Sequence, residues 1–198
     1  MDKPFFIVIE GIDGCGSSTH CKILAKTLEN KGFKVHLTQE PSSSEIGRLL
    51  RIYLKDSSIP PTTDALMFAA DRDLHYHNEI KKYMNKGYIV ISDRYKESSI
   101  VYQSAQAEEI TVDWVKNINK FAGRPNITII LDLETEIGLA RKGKEDLEKF
   151  EDLDFLEKVR NLYLKRAKEE GYHVINSDDI LELVQEKIQK IVFEELGL

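Results

Sequence analysis

The chain has 198 residues, 41% of them hydrophobic and 31% charged, enough for one well-buried domain and short for two. A formal net charge of −6 argues against a nucleic-acid-binding face and leaves room only for a local basic site that takes a small anion. No apolar run reaches the ~18 residues of a spanning helix and no basic segment leads into a signal-type core, so the expectation is a cytoplasmic protein with no membrane or nucleic-acid partner.

Short apolar runs alternate with longer amphipathic stretches, which predicts an α/β fold with a parallel sheet covered by helices. Phe5 to Glu10 reads as the first strand, and Ser18 to Lys31 as a helix with Ile23, Leu24, Thr27 and Leu28 on one face, stopped by Gly32. A short strand at Val35 to Thr38 leads through the Glu40-Pro41-Ser42-Ser43-Ser44 loop into a helix around Ile46 to Leu54. After a break at Asp56 to Pro61, one long helix is expected from about Thr63 to Lys86, then a buried strand over Tyr88 to Ser92 ending in Asp93. Helices around Ser98 to Ala105 and Val112 to Phe121 precede a strand at Ile127 to Leu133. The remainder offers a helix near Glu136 to Lys142, a charged segment, a helix around Leu153 to Glu169, a strand at His173 to Ile175 and a last helix from about Asp179 to Glu195. On that last helix Ile180, Leu183, Val184, Ile188 and Ile191 read as packing. His75 and His77 have no companion ligands that would suggest a metal site, and Cys15 and Cys21 are poorly placed to pair, which suits a reducing compartment.

The chemistry begins where the first strand ends. Gly11, four intervening residues, Gly16 and then Ser18 fit the phosphate-cradle signature G-x-x-x-x-G-K-[ST], except that Ser17 stands at the lysine position. Most of such a cradle is backbone, because glycines let successive N–H groups turn toward one anion and the following helix adds free N–H groups and its positive dipole end. Gly11, Gly14, Cys15, Gly16, Ser17, Ser18 and Thr19 are therefore the expected contacts to the phosphates of a nucleoside triphosphate, with Ser18 placed to ligate magnesium. The lysine contributes a point charge. Two unit charges 4 Å apart at an effective dielectric of 20 interact by about 4 kcal/mol, roughly a thousandfold in rate if nothing replaces it.

Asp93, at the carboxyl end of an apolar strand, is the second signal: such an acid emerges beside the cradle and holds magnesium, or else caps the next helix. Arg94 next to it suits phosphate clamping by a fixed fork of donors, or a plain surface ion pair.

Gly11-Ile12-Asp13, the Glu40-Pro41 loop with Glu45-Ile46-Gly47, Phe68-Ala69-Ala70-Asp71-Arg72, Asp93-Arg94-Tyr95 and Tyr102-Gln103 resemble, in that order, the motif series of thymidylate kinases. Each piece alone is unspecific; the series in register over essentially the whole chain is not. The resemblance implies transfer of the ATP γ-phosphoryl group to dTMP with Mg2+, on a P-loop NTPase fold with a five-stranded parallel sheet and a helical lid, as one domain over 1–198 and as a homodimer. It implies that Phe68 stacks on the base while Arg72, one helical turn on, bonds a base carbonyl, that Ser99 reads the pyrimidine edge beside Gln103, and that Tyr102 packs under the deoxyribose. Taken alone, Phe68 and Tyr102 are as readily core residues, and Asp13 a turn residue bonding its own backbone. By the resemblance Asp13 orients the acceptor and Arg94 grips its phosphate. The lid falls at about 141–152 and brings Arg141, then Lys144, to the transferring group, although a mixed Lys/Glu/Asp run is otherwise a solvated face. Glu151 and Arg160 fall among further lid and helix charges, and the Asn176-Ser177-Asp178 loop lies where the family caps adenine.

Two departures remove positive charge from phosphate-handling positions: Ser17 in the cradle, and Gln39 where many relatives carry an arginine near the acceptor phosphate. The expected compensation comes from Arg141, Lys142, Lys144 or Lys96, in a slower or less selective kinase. Two other outcomes stay open: a nucleotide-binding relative that has lost its chemistry, and a kinase for dUMP or another pyrimidine nucleotide or nucleoside.

Overall fold

The structure is a computed structural model and describes residues 4–142 and 152–198. Lys144 and Glu151, expected in the lid, lie outside the described residues. Among the described residues, strands β1 (Phe5–Gly11), β2 (Val35–Gln39), β3 (Ile89–Asp93), β4 (Ile127–Asp132) and β5 (His173–Asn176) form one parallel sheet in the order β2-β3-β1-β4-β5. The register pairs Ile9 with Asp93, Gln39 with Asp93, Gly11 with Leu131 and Asp132 with Asn176, so every carboxyl end opens on one edge. In an open parallel sheet this edge, outside the strand where the winding reverses, is where ligands bind.

Strand alternation divides the core. Phe6 and Val8 of β1 pack with Ile80, Val90 and Tyr95, while Ile7 and Ile9 join the larger cluster that buries Leu24 and Leu28 of α1 (Ser17–Asn30). The buried stripe of α1 runs through His20, Cys21, Leu24, Ala25 and Leu28, with Ile23 and Thr27 at its margin. Helix α2 (Glu45–Tyr53) starts at Ser44, whose hydroxyl accepts from the Gly47 amide. The long helix expected next is continuous but not uniform: α3 (Pro61–His75), opened by proline at its first position, passes through a π-helical turn at Tyr76–Ile80 into α4 (Lys81–Met84). Helices α5 (Lys96–Gln106), α6 (Val112–Ile118), α7 (Thr135–Lys142), α8 (Leu153–Glu170) and α9 (Leu181–Leu196) complete the fold. On α9 the buried set is Val184, Gln185, Ile188, Val192 and Leu196. Ile180 and Leu183, expected to pack, are 61% and 42% exposed: Ile180 precedes the first turn and Leu183 sits one position off the stripe.

Candidate active site

The turn after β1 has the backbone conformation of an anion cradle. Gly14 and Gly16 have φ of 79° and 90°, left-handed values that L side chains rarely adopt. At Gly14 a Cβ would also lie 2.3 Å from the Gly138 carbonyl oxygen, so α7 can rest against the turn only because both positions lack side chains. Gly16 caps α1 with no side-chain bond, leaving the amides of the first helical turn open to a ligand. A cavity of about 510 Å³ lies over this turn, lined by Asp13 to His20, Asp93, Arg94, Arg141 and Ser177. Cys15 and Cys21 are free and buried. Burial pushes the Cys15 thiol up to about 11 and Cys21 well above the ordinary range, so both act as apolar fill.

The Ser18 hydroxyl bonds Asp93 Oδ2, and Asp93 Oδ1 is buried without a hydrogen-bond partner among the described residues. A hydroxyl and a carboxylate with a free oxygen suit Mg2+, which takes few protein ligands and completes its shell with water and phosphate oxygens.

A second cavity, of about 150 Å³, lies against α3 and α5 and is lined by Asp13, Glu40, Phe68, Arg72, Arg94, Ser99, Tyr102 and Gln103. The sequence-predicted acceptor residues are thus brought to one place. Arg72 is 1% exposed and held on three sides: Nη2 meets Glu40 Oε2 at 2.7 Å and the Tyr95 carbonyl at 3.2 Å, and Nη1 donates to Asn119 Oδ1 at 2.6 Å. Its Nε keeps a free N–H. With Ser99 Oγ and Gln103 Oε1 it is buried and unpartnered among the described residues, an arrangement that costs about 1–3 kcal/mol per group unless a ligand completes it.

Asp13 and Arg94 line both cavities. Arg94 Nη2 contacts Asp13 Oδ1 at 2.7 Å and its guanidinium stands 5.3 Å over the Tyr102 ring. Arg94 has φ 66°, the one non-glycine residue with positive φ among the described residues, at a cost of about 1–2 kcal/mol. The strained backbone is tied down by buried Glu10, which accepts from the Tyr95 amide at 2.9 Å, from Ser98 Oγ at 2.5 Å and from Tyr163 Oη at 3.1 Å. Burial lifts the Glu10 carboxyl to about 7, against the pull of the Ser98 hydrogen bond and the Arg94 charge.

The cations expected to compensate for Ser17 are not equally placed. Arg141 reaches the cradle, with Nη1 3.5 Å from the Gly14 carbonyl and Nη2 3.3 Å from Asp178 Oδ1. Lys96 does not: α5 carries it into a separate cavity with Lys116, Arg124 and Arg166. Arg160 is spent on a bidentate pair with Asp132 at 2.7 and 3.1 Å. Gln39 faces a groove with Ser18, Arg51 and Asp93 rather than the acceptor cavity.

Some supporting residues escaped the sequence reading. Asp71 accepts from the Ser42 amide and from the Ser42 and Ser44 hydroxyls, and Arg51 donates to the Pro41, Ser42 and Gly47 carbonyls, so the Glu40 loop is clamped on both sides. His75 contacts Glu40 Oε1 at 3.0 Å. His20 lines the cradle cavity with Nδ1 2.7 Å from Gln185 Oε1. Its only sequence signal is a position one turn beyond Gly16.

A family model described as thymidylate kinase matches residues 9–188. The chain belongs to the thymidylate kinase family. It is 47% identical over 193 residues to a probable thymidylate kinase of Pyrobaculum aerophilum, covering 94% of this chain and 97% of that one. A probable thymidylate kinase of Pyrobaculum calidifontis is 47% identical over 87% of both chains, and one of Pyrococcus abyssi is 39% identical over 98% of both. Membership makes this chain an ATP-dependent nucleoside monophosphate kinase by family, and the five-stranded parallel sheet is the fold expected of it.

Proposed function

We propose that this protein transfers the γ-phosphoryl group of ATP to dTMP, giving dTDP for pyrimidine deoxynucleotide synthesis, with Mg2+ held by Ser18 and Asp93. The observation that carries the reading is the shared wall: a triphosphate cradle and a base-sized pocket with buried unpaired polar atoms meet at Asp13 and Arg94. Phosphoryl transfer needs little covalent help from the protein, so positioning and charge supply the catalysis. In this reading the donor's phosphates lie on the amides of Gly14 to Ser18, and magnesium held by Ser18 and Asp93 would offset the negative charge of the phosphate oxygens. Arg94 grips the acceptor phosphate and Asp13 holds that guanidinium in line.

The base follows from the donor set. A thymine offers carbonyl acceptors and an N3–H donor, which match the Arg72 Nε–H and the Gln103 Oε1, with the Ser99 hydroxyl adjustable to either. Cytosine would turn an amino group toward Arg72 and leave two donors facing, which disfavours dCMP. Phe68 supplies the stacking face and Tyr102 the wall under the sugar.

Ser17 replaces the cradle lysine, and its charge is supplied by Arg141 and Arg94, with Lys142 and Lys144 as further cations of a lid over 141–152. The chain acts as a single domain, in the cytoplasm, as a homodimer. Leu66 and Phe121, 52% and 70% exposed beside one groove shared by α3 and the turn after α6, offer the apolar contact between copies. A coupled assay of ADP release against dTMP, dUMP, UMP, dCMP and thymidine tests the reading. The expected order puts dTMP first and dCMP and UMP far behind; turnover with none of them overturns it in favour of a binding protein.

A further inference from the structure

We propose that the cavity walled by α5, α6, α8 and the start of β4 is a second anion site, taking a phosphate-bearing small molecule and transmitting its occupancy to Arg72 through Asn119. The cavity, of about 240 Å³, shares no lining residue with the donor or acceptor cavities. Although the chain carries a net charge of −6, this wall collects Lys96, Lys116, Lys120, Arg124 and Arg166, with Glu170 as the one lining carboxylate. That carboxylate is already engaged, 2.7 Å from Arg166 Nη2 and 3.5 Å from Lys116 Nζ, and the neighbouring Glu97 is bonded to Arg166 at 3.0 Å and to the Tyr172 hydroxyl at 2.8 Å. Lys96 and Arg124 have no ion pair among the described residues.

Burial pulls the half-buried Lys96 ammonium below the usual lysine range; Arg72 and Arg166 push the same way, Glu97 and Glu170 the other. A desolvated cation without a counterion is costly, and an incoming anion offsets that cost. Ammonium groups, a guanidinium fork, the Thr128 hydroxyl and the Asn119 amide approach from several elements, which suits a tetrahedral dianion better than a planar carboxylate.

The route to the acceptor pocket is short. Asn119 lines this cavity, and its Oδ1 accepts from Arg72 Nη1 at 2.6 Å while its Nδ2 is held by the Val115 carbonyl at 2.8 Å. Lys96 directly follows Tyr95, whose carbonyl takes the other Arg72 amino group. An anion that draws on Lys96 or Asn119 therefore shifts the residue whose Nε faces the base. The binding claim stands apart from the proposed acceptor; the effect on acceptor affinity rests on it.

The test is titration with pyrophosphate by calorimetry while saturating MgADP and dTMP fill the cradle and the acceptor cavity. Wild type should still bind. Lys120→Ala/Arg124→Ala should weaken binding about tenfold or more, whereas Lys120→Arg/Arg124→Lys, which keeps the charge, should retain it. At saturating ATP, pyrophosphate should shift the KM for dTMP about fivefold in wild type and leave the alanine variant unmoved. A parallel titration with dTTP separates the sources of the phosphate group: tighter binding than pyrophosphate assigns a nucleotide, weaker binding an inorganic anion. No binding once the cradle and the acceptor cavity are both filled, or equal binding by both double variants, overturns the site; binding with an unchanged KM overturns the coupling through Asn119.

Discussion

Restoring the cradle ammonium with Ser17→Lys isolates the charge on which the proposed chemistry turns. Ser17 opens α1, is 8% exposed, and borders a cavity of about 510 Å³, so a longer side chain has space to extend over the turn. A full unit charge 4 Å from a transferring phosphate oxygen contributes about 4 kcal/mol at an effective dielectric of 20. In the proposed mechanism the Arg141 guanidinium beside the Gly14 carbonyl supplies part of that, but its side chain is 40% exposed, screened by water and paired with Asp178. We expect the lysine to add the remainder, about 2 kcal/mol, or roughly a thirtyfold rise in kcat with dTMP KM within about twofold. Coupled measurement of ADP release gives both constants. Because the two cations would serve one charge, Arg141→Ala should cost less in the Ser17→Lys background than in wild type. An unchanged kcat in a variant that still binds ATP, or strictly additive losses, would refute the compensation.

Removing the buried acceptor with Gln103→Leu should raise the KM for dTMP by roughly ten- to a hundredfold, about 1–3 kcal/mol, and leave the KM for ATP in place; equal effects on both would point to a general loss of structure. Glu10 predicts a pH-dependent stability. Its folded-state value of about 7 lies above the ordinary 4.5, so the folded form binds the proton more tightly. The resulting stabilisation is complete below 4.5 and is lost as pH rises through about 7, an effect of about 3 kcal/mol. Glu10→Gln should remove that slope in denaturant titrations between pH 4.5 and 8; identical slopes for both proteins count against it. Phe121→Glu should turn a dimer into a monomer in light scattering, and a variant that stays dimeric locates the interface elsewhere.

The phosphate cradle was readable from a contiguous stretch because its working groups are main-chain amides, and glycine spacing reports where the chain must take left-handed turns. The same locality made the strands and helices visible: apolar period two or near four marks which residues share a face. It misled at Leu183, where a residue one step off the stripe is exposed, and it could not foresee the π-helical turn at Tyr76–Ile80. Placement of the acceptor residues came from motif order, and nothing local announced that Arg72 would be gripped by Glu40, Tyr95 and Asn119.

What the amino-acid sequence determined by itself was a parallel α/β sheet with an anion-binding turn at the end of its first strand. Which cations lie near that turn was decided only by tertiary structure. Arg141 and Lys96 are equally basic on paper, yet α7 packs against Gly14 through Gly138 and brings Arg141 to the glycine-rich turn, while α5 carries Lys96 away to another cavity. The cause is physical. A long charged side chain acts only where the packing of distant segments aims it, and charge falls off with distance in space rather than along the chain.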